Sequence, residues 1–81
     1  MDPKLVGNVI RRLRLNRGMS QEVLSGLAGL DRTHYSKIER GQRLPTLESL
    51  WKIAHALNIP PHQIIMELEQ QIGYPEDSMS L

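Results

Sequence analysis

Arg32, Thr33, Ser36 and Lys37 are spaced so that a helix beginning at Arg32 carries all four on one side. Together they offer a planar fork of donors, two hydroxyls and an ammonium, a set suited to phosphates and to the edges of bases. Arg32 can grip guanine O6 and N7 through two parallel hydrogen bonds, and Thr33 can touch a thymine methyl or donate from its hydroxyl. His34, beside them, is within reach of a phosphate or base. Catalysis has no comparable foothold. His34, His55 and His62 are scattered, and no Ser/His/Asp or paired-carboxylate arrangement accompanies them. His55 and His62 lie on either side of Pro60-Pro61, and with no Cys in the chain they make no set of metal ligands. The glycines read as helix caps, not as a phosphate cradle following a strand. The expectation is a binding protein, not an enzyme, with neither cofactor nor metal.

The elements that must position this face follow from capping residues and apolar spacing. Ser20 caps a helix whose first turn holds Gln21 and Glu22 at the positive end of its dipole. Apolar Val23, Leu24, Leu27 and Ala28 follow at helical spacing, and Gly29 ends the helix because it can turn left-handed at no steric cost. Asp31 caps the next helix, Arg32 to Glu39, which stops at Gly41 and turns Tyr35 and Ile38 inward. Two short capped helices joined by a tight Gly-containing turn make a helix-turn-helix.

Three more helices complete the reading. The first spans 3–17, with Val6, Val9, Ile10 and Leu13 on its buried stripe and Gly18 as its stop. Thr46 caps a fourth over 47–57, with Leu50, Ile53, Ala54 and Leu57 inward, and Asn58 ends it. Pro60-Pro61 restarts the chain, since Pro is tolerated in a first turn, and the fifth runs over 61–72. Residues 73–81 lack periodicity and read as a loosely held tail, so the domain is expected to be 1–72. Connections this short favour a compact all-α bundle.

Composition agrees. Eighty-one residues, 40% of them hydrophobic, make one domain with one small aliphatic core. No apolar run approaches the ~20 residues of a membrane span, and the absence of Cys suits a reducing cytoplasm. The net charge of +1 conceals a division at Arg43: nine Lys or Arg against four acids up to that point, or +5, and one Lys against five acids beyond it, or −4. A basic half that contains the polar helix face and an acidic half elsewhere is the pattern of a polarised DNA binder.

The ordered residues Ile10, Leu13, Arg14, Ser20-Gln21, Leu24, Gly29, Ile38-Glu39, Gly41, Pro45-Thr46-Leu47, Leu50, Ile53-Ala54 and Ala56-Leu57 resemble the Cro/cI-type helix-turn-helix regulators, also called the xenobiotic-response-element family. The resemblance covers most of the chain and implies a five-helix, lambda-repressor-like fold. It departs at Ser25 and Gly26, where such proteins carry Ala and a helix-favouring residue; an interior Gly costs a helix about 0.5–1 kcal/mol. It implies that Arg32, Thr33 and Lys37 read bases, with His34 and Ser36 on the same face, and that Gln21 holds a phosphate at the start of its helix. Arg40, Gln42 and Arg43 follow as phosphate contacts, with a generic basic loop as the alternative. The resemblance also pairs Arg14 with Glu39 in a partly buried salt bridge that serves as scaffold.

The small size and the run Leu30-Asp31-Arg32-Thr33, followed by Tyr35-Ser36 and Ile38-Glu39-Arg40, resemble restriction-modification controller proteins; phage repressors and antitoxins share the fold. The last helix carries Ile64, Ile65, Met66, Leu68 and Ile72, more apolar surface than a monomer of this size needs on a terminal helix. This suggests a homodimer with Trp51, Ile65 and Leu68 at the seam, although Trp51 also reads as an ordinary packing residue. The expected partners are double-stranded DNA, a second copy of the chain and RNA polymerase. The rival reading is a protein-interaction adaptor that uses the same fold.

Overall fold

Each helix in the computed structural model, which describes residues 1–73, begins where a side chain or a proline can start it. In chain order they are α1 (Pro3–Asn16), α2 (Gln21–Ala28), α3 (Arg32–Glu39), α4 (Leu47–Ala56) and α5 (Pro61–Ile72). Ser20 accepts the Val23 N–H, Asp31 the His34 N–H and Thr46 the Ser49 N–H, at 3.0–3.2 Å, so each satisfies an otherwise unpaired first-turn donor. Pro60 offers no side-chain cap, and α5 starts instead on the preset φ of Pro61. Gly29 closes α2 at φ 67°, and Asn58 takes φ 58° after α4. Two ends fall short of the sequence reading by one residue, because Arg17 and Leu57 act as caps and not as helix interior.

One core joins the five helices. Val6, Val9, Ile10 and Leu13 from α1 meet Leu24 from α2, Tyr35 and Ile38 from α3, Leu50, Ile53, Ala54 and Leu57 from α4 and its cap, and Ile64 and Leu68 from α5. Burying each large aliphatic side chain contributes about 1.5–3 kcal/mol. α1 packs on α3 and α5, α2 on α3 and α4, and α4 on α5. α3 is therefore gripped on its inner side by two helices while its outer side stays open. The fold is all-α among the described residues.

This packing decides which side chains turn inward, and it corrects the readings of Leu68 and of Gly7. Val23 and Leu27 are exposed, since the core reaches only the Leu24 and Ala28 side of α2. Leu68 is 5% exposed and belongs to the monomer's own core, one turn from fully buried Ile64, so it does not stand on an outer seam. Gly7 is not a cap: it lies inside α1, and a Cβ there would come within 2.7 Å of the Ile38 carbonyl oxygen and closer still to that of Glu39. Gly26 lies inside α2, where the sequence reading put it. Ser25, buried beside it, satisfies its hydroxyl by donating to the Glu22 carbonyl at 3.1 Å. The tail read over 73–81 lies, beyond Gly73, outside the described residues.

Candidate nucleic-acid interface

The outer face of α3 is built from its inner one. Tyr35, Ile38 and Glu39 are buried, so the intervening positions must point outward: Arg32, Thr33 and Lys37 are exposed, His34 and Ser36 half-buried. Arg32 and Thr33 occupy the first turn, directly after the Asp31 cap. Across the turn, Gln21 opens α2, whose first N–H groups an α-helix leaves unpaired. Gln21, Arg32, Thr33, Ser36 and Arg40 line one shallow concavity of about 190 Å³. Residues read separately as base and phosphate contacts thus share one surface. Gln42 and Arg43 sit exposed on the loop after α3, where the Gln42 N–H donates to the Lys37 carbonyl at 2.9 Å. Arg40 turns its Nε toward the Ser36 carbonyl at 3.4 Å.

Behind this face lies a polar network that fixes α3 to α1 and α2. Arg14 donates from Nε to Glu39 Oε2 at 2.9 Å and from Nη2 to Oε1 at 2.6 Å, and from Nη1 to the Met19 carbonyl at 2.7 Å. The Tyr35 hydroxyl donates to Glu39 Oε2 in a short bond, and Gln21 Nε2 donates to Oε1 at 3.2 Å. Glu39 therefore receives donors from three helices. Burial alone would raise its pKa, but the bonds from Arg14, Tyr35 and Gln21 outweigh it and hold the carboxylate below its ordinary value. The bond to Glu39 raises the Arg14 pKa, and burial first, then the bond to Glu39, pushes the Tyr35 hydroxyl well up. Both stay protonated.

Gln21 thus engages the scaffold through its side-chain amide nitrogen, and as the first residue of α2 its backbone N–H is among those that an α-helix leaves unpaired. Sequence reading did not assign the Tyr35 hydroxyl; its signal was the four-residue interval to Glu39, which places both on one helix face. Among the described residues no cluster of His, Cys, Asp or Glu is placed to hold a metal, and no helix is long and apolar enough to cross a membrane.

A polar helix held outward by its own buried residues, preceded by a second helix across a glycine-closed turn, defines a helix-turn-helix DNA-binding domain. A helix-turn-helix family profile matches residues 10–64, and the chain belongs to that family of transcriptional regulators, which are not enzymes. It is similar to control protein C.BamHI of Bacillus amyloliquefaciens, 40% identical over 62 residues that cover 75% of this chain and 76% of the relative. It is also similar to control protein C.MunI of a Mycoplasma species, 36% identical over 66 residues, 80% and 89% of the two chains. Among solved structures, the restriction-modification controller protein C.AhdI from Aeromonas hydrophila superposes with a TM-score of 0.75 at 43% identity, covering 78% of this chain and 96% of that one.

Proposed function

We propose that this regulator is a sequence-specific operator binder that acts in the cytoplasm as a homodimer on palindromic DNA and controls a restriction-modification system. The observation that carries the reading is the outward face of α3, whose Arg32, Thr33 and Lys37 stand exposed on a helix locked from behind by Tyr35, Ile38 and Glu39. Arg32, Thr33, His34, Ser36 and Lys37 read base edges in the major groove, while Gln21, Arg40, Gln42 and Arg43 hold backbone phosphates on either side. The likeness to control proteins supports the narrower role. Operator occupancy then blocks or recruits RNA polymerase.

The dimer is supported by apolar surface left outside the core. Trp51 is 59% and Ile65 41% exposed, with Met66 and Ile72 also open on α5. A two-fold pair of such domains matches half-sites about 34 Å apart, one turn of DNA. Selection of bound sequences from a random duplex pool at about 150 mM salt tests the whole reading. It is expected to return a palindromic motif with half-sites one helical turn apart. No enrichment would overturn it and favour the adaptor.

A further inference from the structure

The stretch of α1 from Lys4 to Arg11 borders the α3 surface and carries cations that the reading above leaves unused. Lys4, Asn8 and Arg11, together with Arg14, Gln21, Glu39 and Arg40, line a polar concavity of about 400 Å³. It shares Gln21 and Arg40 with the smaller concavity that holds Arg32, Thr33 and Ser36, so the two adjoin across these side chains, one toward the start of α3 and the other toward α1. Its charge is strongly positive, because the single acid, Glu39, is already engaged by Arg14, Tyr35 and Gln21. The side chains of Lys4, Asn8 and Arg11 make no hydrogen bond or ion pair among the described residues, and all three are exposed.

Their position is set by close backbone contacts. Gly7 lets α1 lie against the carbonyls of Ile38 and Glu39, and at Gly41 a Cβ would come within 2.7 Å of the Lys4 Cα. Both contacts pin the start of α1 to the end of α3. Lys4 and Arg11 are thereby held beside Arg40 as part of one rigid surface, not as cations on a free arm.

We infer that Lys4, Asn8 and Arg11 form, with Arg40 and the start of α2, a second phosphate subsite that grips the DNA backbone beyond the bases read by α3. The inference rests on the DNA-binding reading and extends its footprint to the first helix. Phosphates there add affinity and register without sequence information.

The test compares the full chain with a Lys4→Gln/Arg11→Gln variant on the selected duplex, with affinity measured against salt concentration. Both side chains are exposed, so thermal unfolding is expected to be unchanged. Loss of two phosphate contacts lowers the slope of log affinity against log salt by about 1.8, or about 0.9 for each contact, and leaves the preferred sequence the same. A duplex trimmed to end before the flanking phosphates lowers the wild-type slope equally and removes the difference between the proteins. The exchanged pair Lys4→Arg/Arg11→Lys keeps the wild-type slope. An unchanged slope in a glutamine variant that still binds DNA overturns this inference alone. A wild-type chain that binds no duplex even at about 50 mM salt, where phosphate contacts hold far more tightly than at about 200 mM, overturns the DNA-binding reading and this inference with it. Pyrophosphate binding is measured on the same two proteins: saturable binding by wild type that the glutamine variant loses, with the DNA slope unchanged, assigns the site to a small anion and overturns the inference too.

Discussion

Arg14 on α1 and Glu39 at the end of α3 meet side-on, Nε to Oε2 at 2.9 Å and Nη2 to Oε1 at 2.6 Å, with side chains 9% and 2% exposed. The geometry is bidentate, the strong form of the pair. Removal of either partner strands the other charge in the interior. Arg14→Met and Glu39→Ala are each expected to cost about 3–5 kcal/mol in urea unfolding. The double variant should cost less than the sum, since no charge is then left alone. If neither single change lowered stability, the pair would have no scaffold role.

The same carboxylate makes stability depend on acid. The folded pKa of Glu39 lies below its ordinary 4.5, so its contribution is fully present above that value and fades as pH falls through the folded pKa. Urea midpoints measured from pH 7 down to pH 3, roughly the range spanning a carboxylate's titration, should fall most steeply at the acid end. In Glu39→Gln that part of the decline should disappear, although the variant starts from lower stability.

Two interior glycines are expected to respond in opposite directions. Gly7→Ala drives a methyl into the Ile38 and Glu39 carbonyls and should cost about 1–3 kcal/mol or more. At Gly26 a Cβ meets nothing within 4 Å, so Gly26→Ala should stabilise α2 by about 0.5–1 kcal/mol. Thermal melts of the two proteins side by side decide it, and equal shifts would contradict the close approach of α1 to α3.

The proposed homodimer is tested at the exposed residues assigned to it. Trp51→Ala and Ile65→Asp should move the sedimentation equilibrium toward monomer while leaving the melting temperature of the monomer nearly unchanged, because neither residue is part of the core. Leu68→Ala should instead destabilise the fold itself by about 2–5 kcal/mol. A wild-type chain that stays monomeric into the high micromolar range would remove the dimer.

The helix boundaries were legible because capping chemistry is local: Ser20, Asp31, Thr46 and Asn58 act within three residues of themselves. The inward residues of α1, α3 and α4 were equally plain from spacing. Legibility ended where the choice depended on a partner helix. On α5, Ile64, Ile65, Leu68 and Ile72 span more than one face, and only the seating on α1 and α4 turns Ile64 and Leu68 inward. On α2, the apolar band of Val23, Leu24, Leu27 and Ala28 is wider than the core it meets. Gly7 and Lys4 gained meaning only from α3, more than thirty residues away along the chain. The α3 face was readable as chemistry, but its adjacency to the polar side of α1 across Gln21 and Arg40 is a tertiary fact.

On the proposed function, α3 reads sequence while its surroundings hold phosphate. The most direct measurement is the affinity of wild type and Arg32→Ala for the selected duplex and for a scrambled one, at the same salt. Arg32→Ala is expected to lose about 1–3 kcal/mol on the selected site, to relax preference at one base position, and to bind the scrambled duplex nearly as wild type does. Equal losses on both duplexes, or none on either, would contradict it.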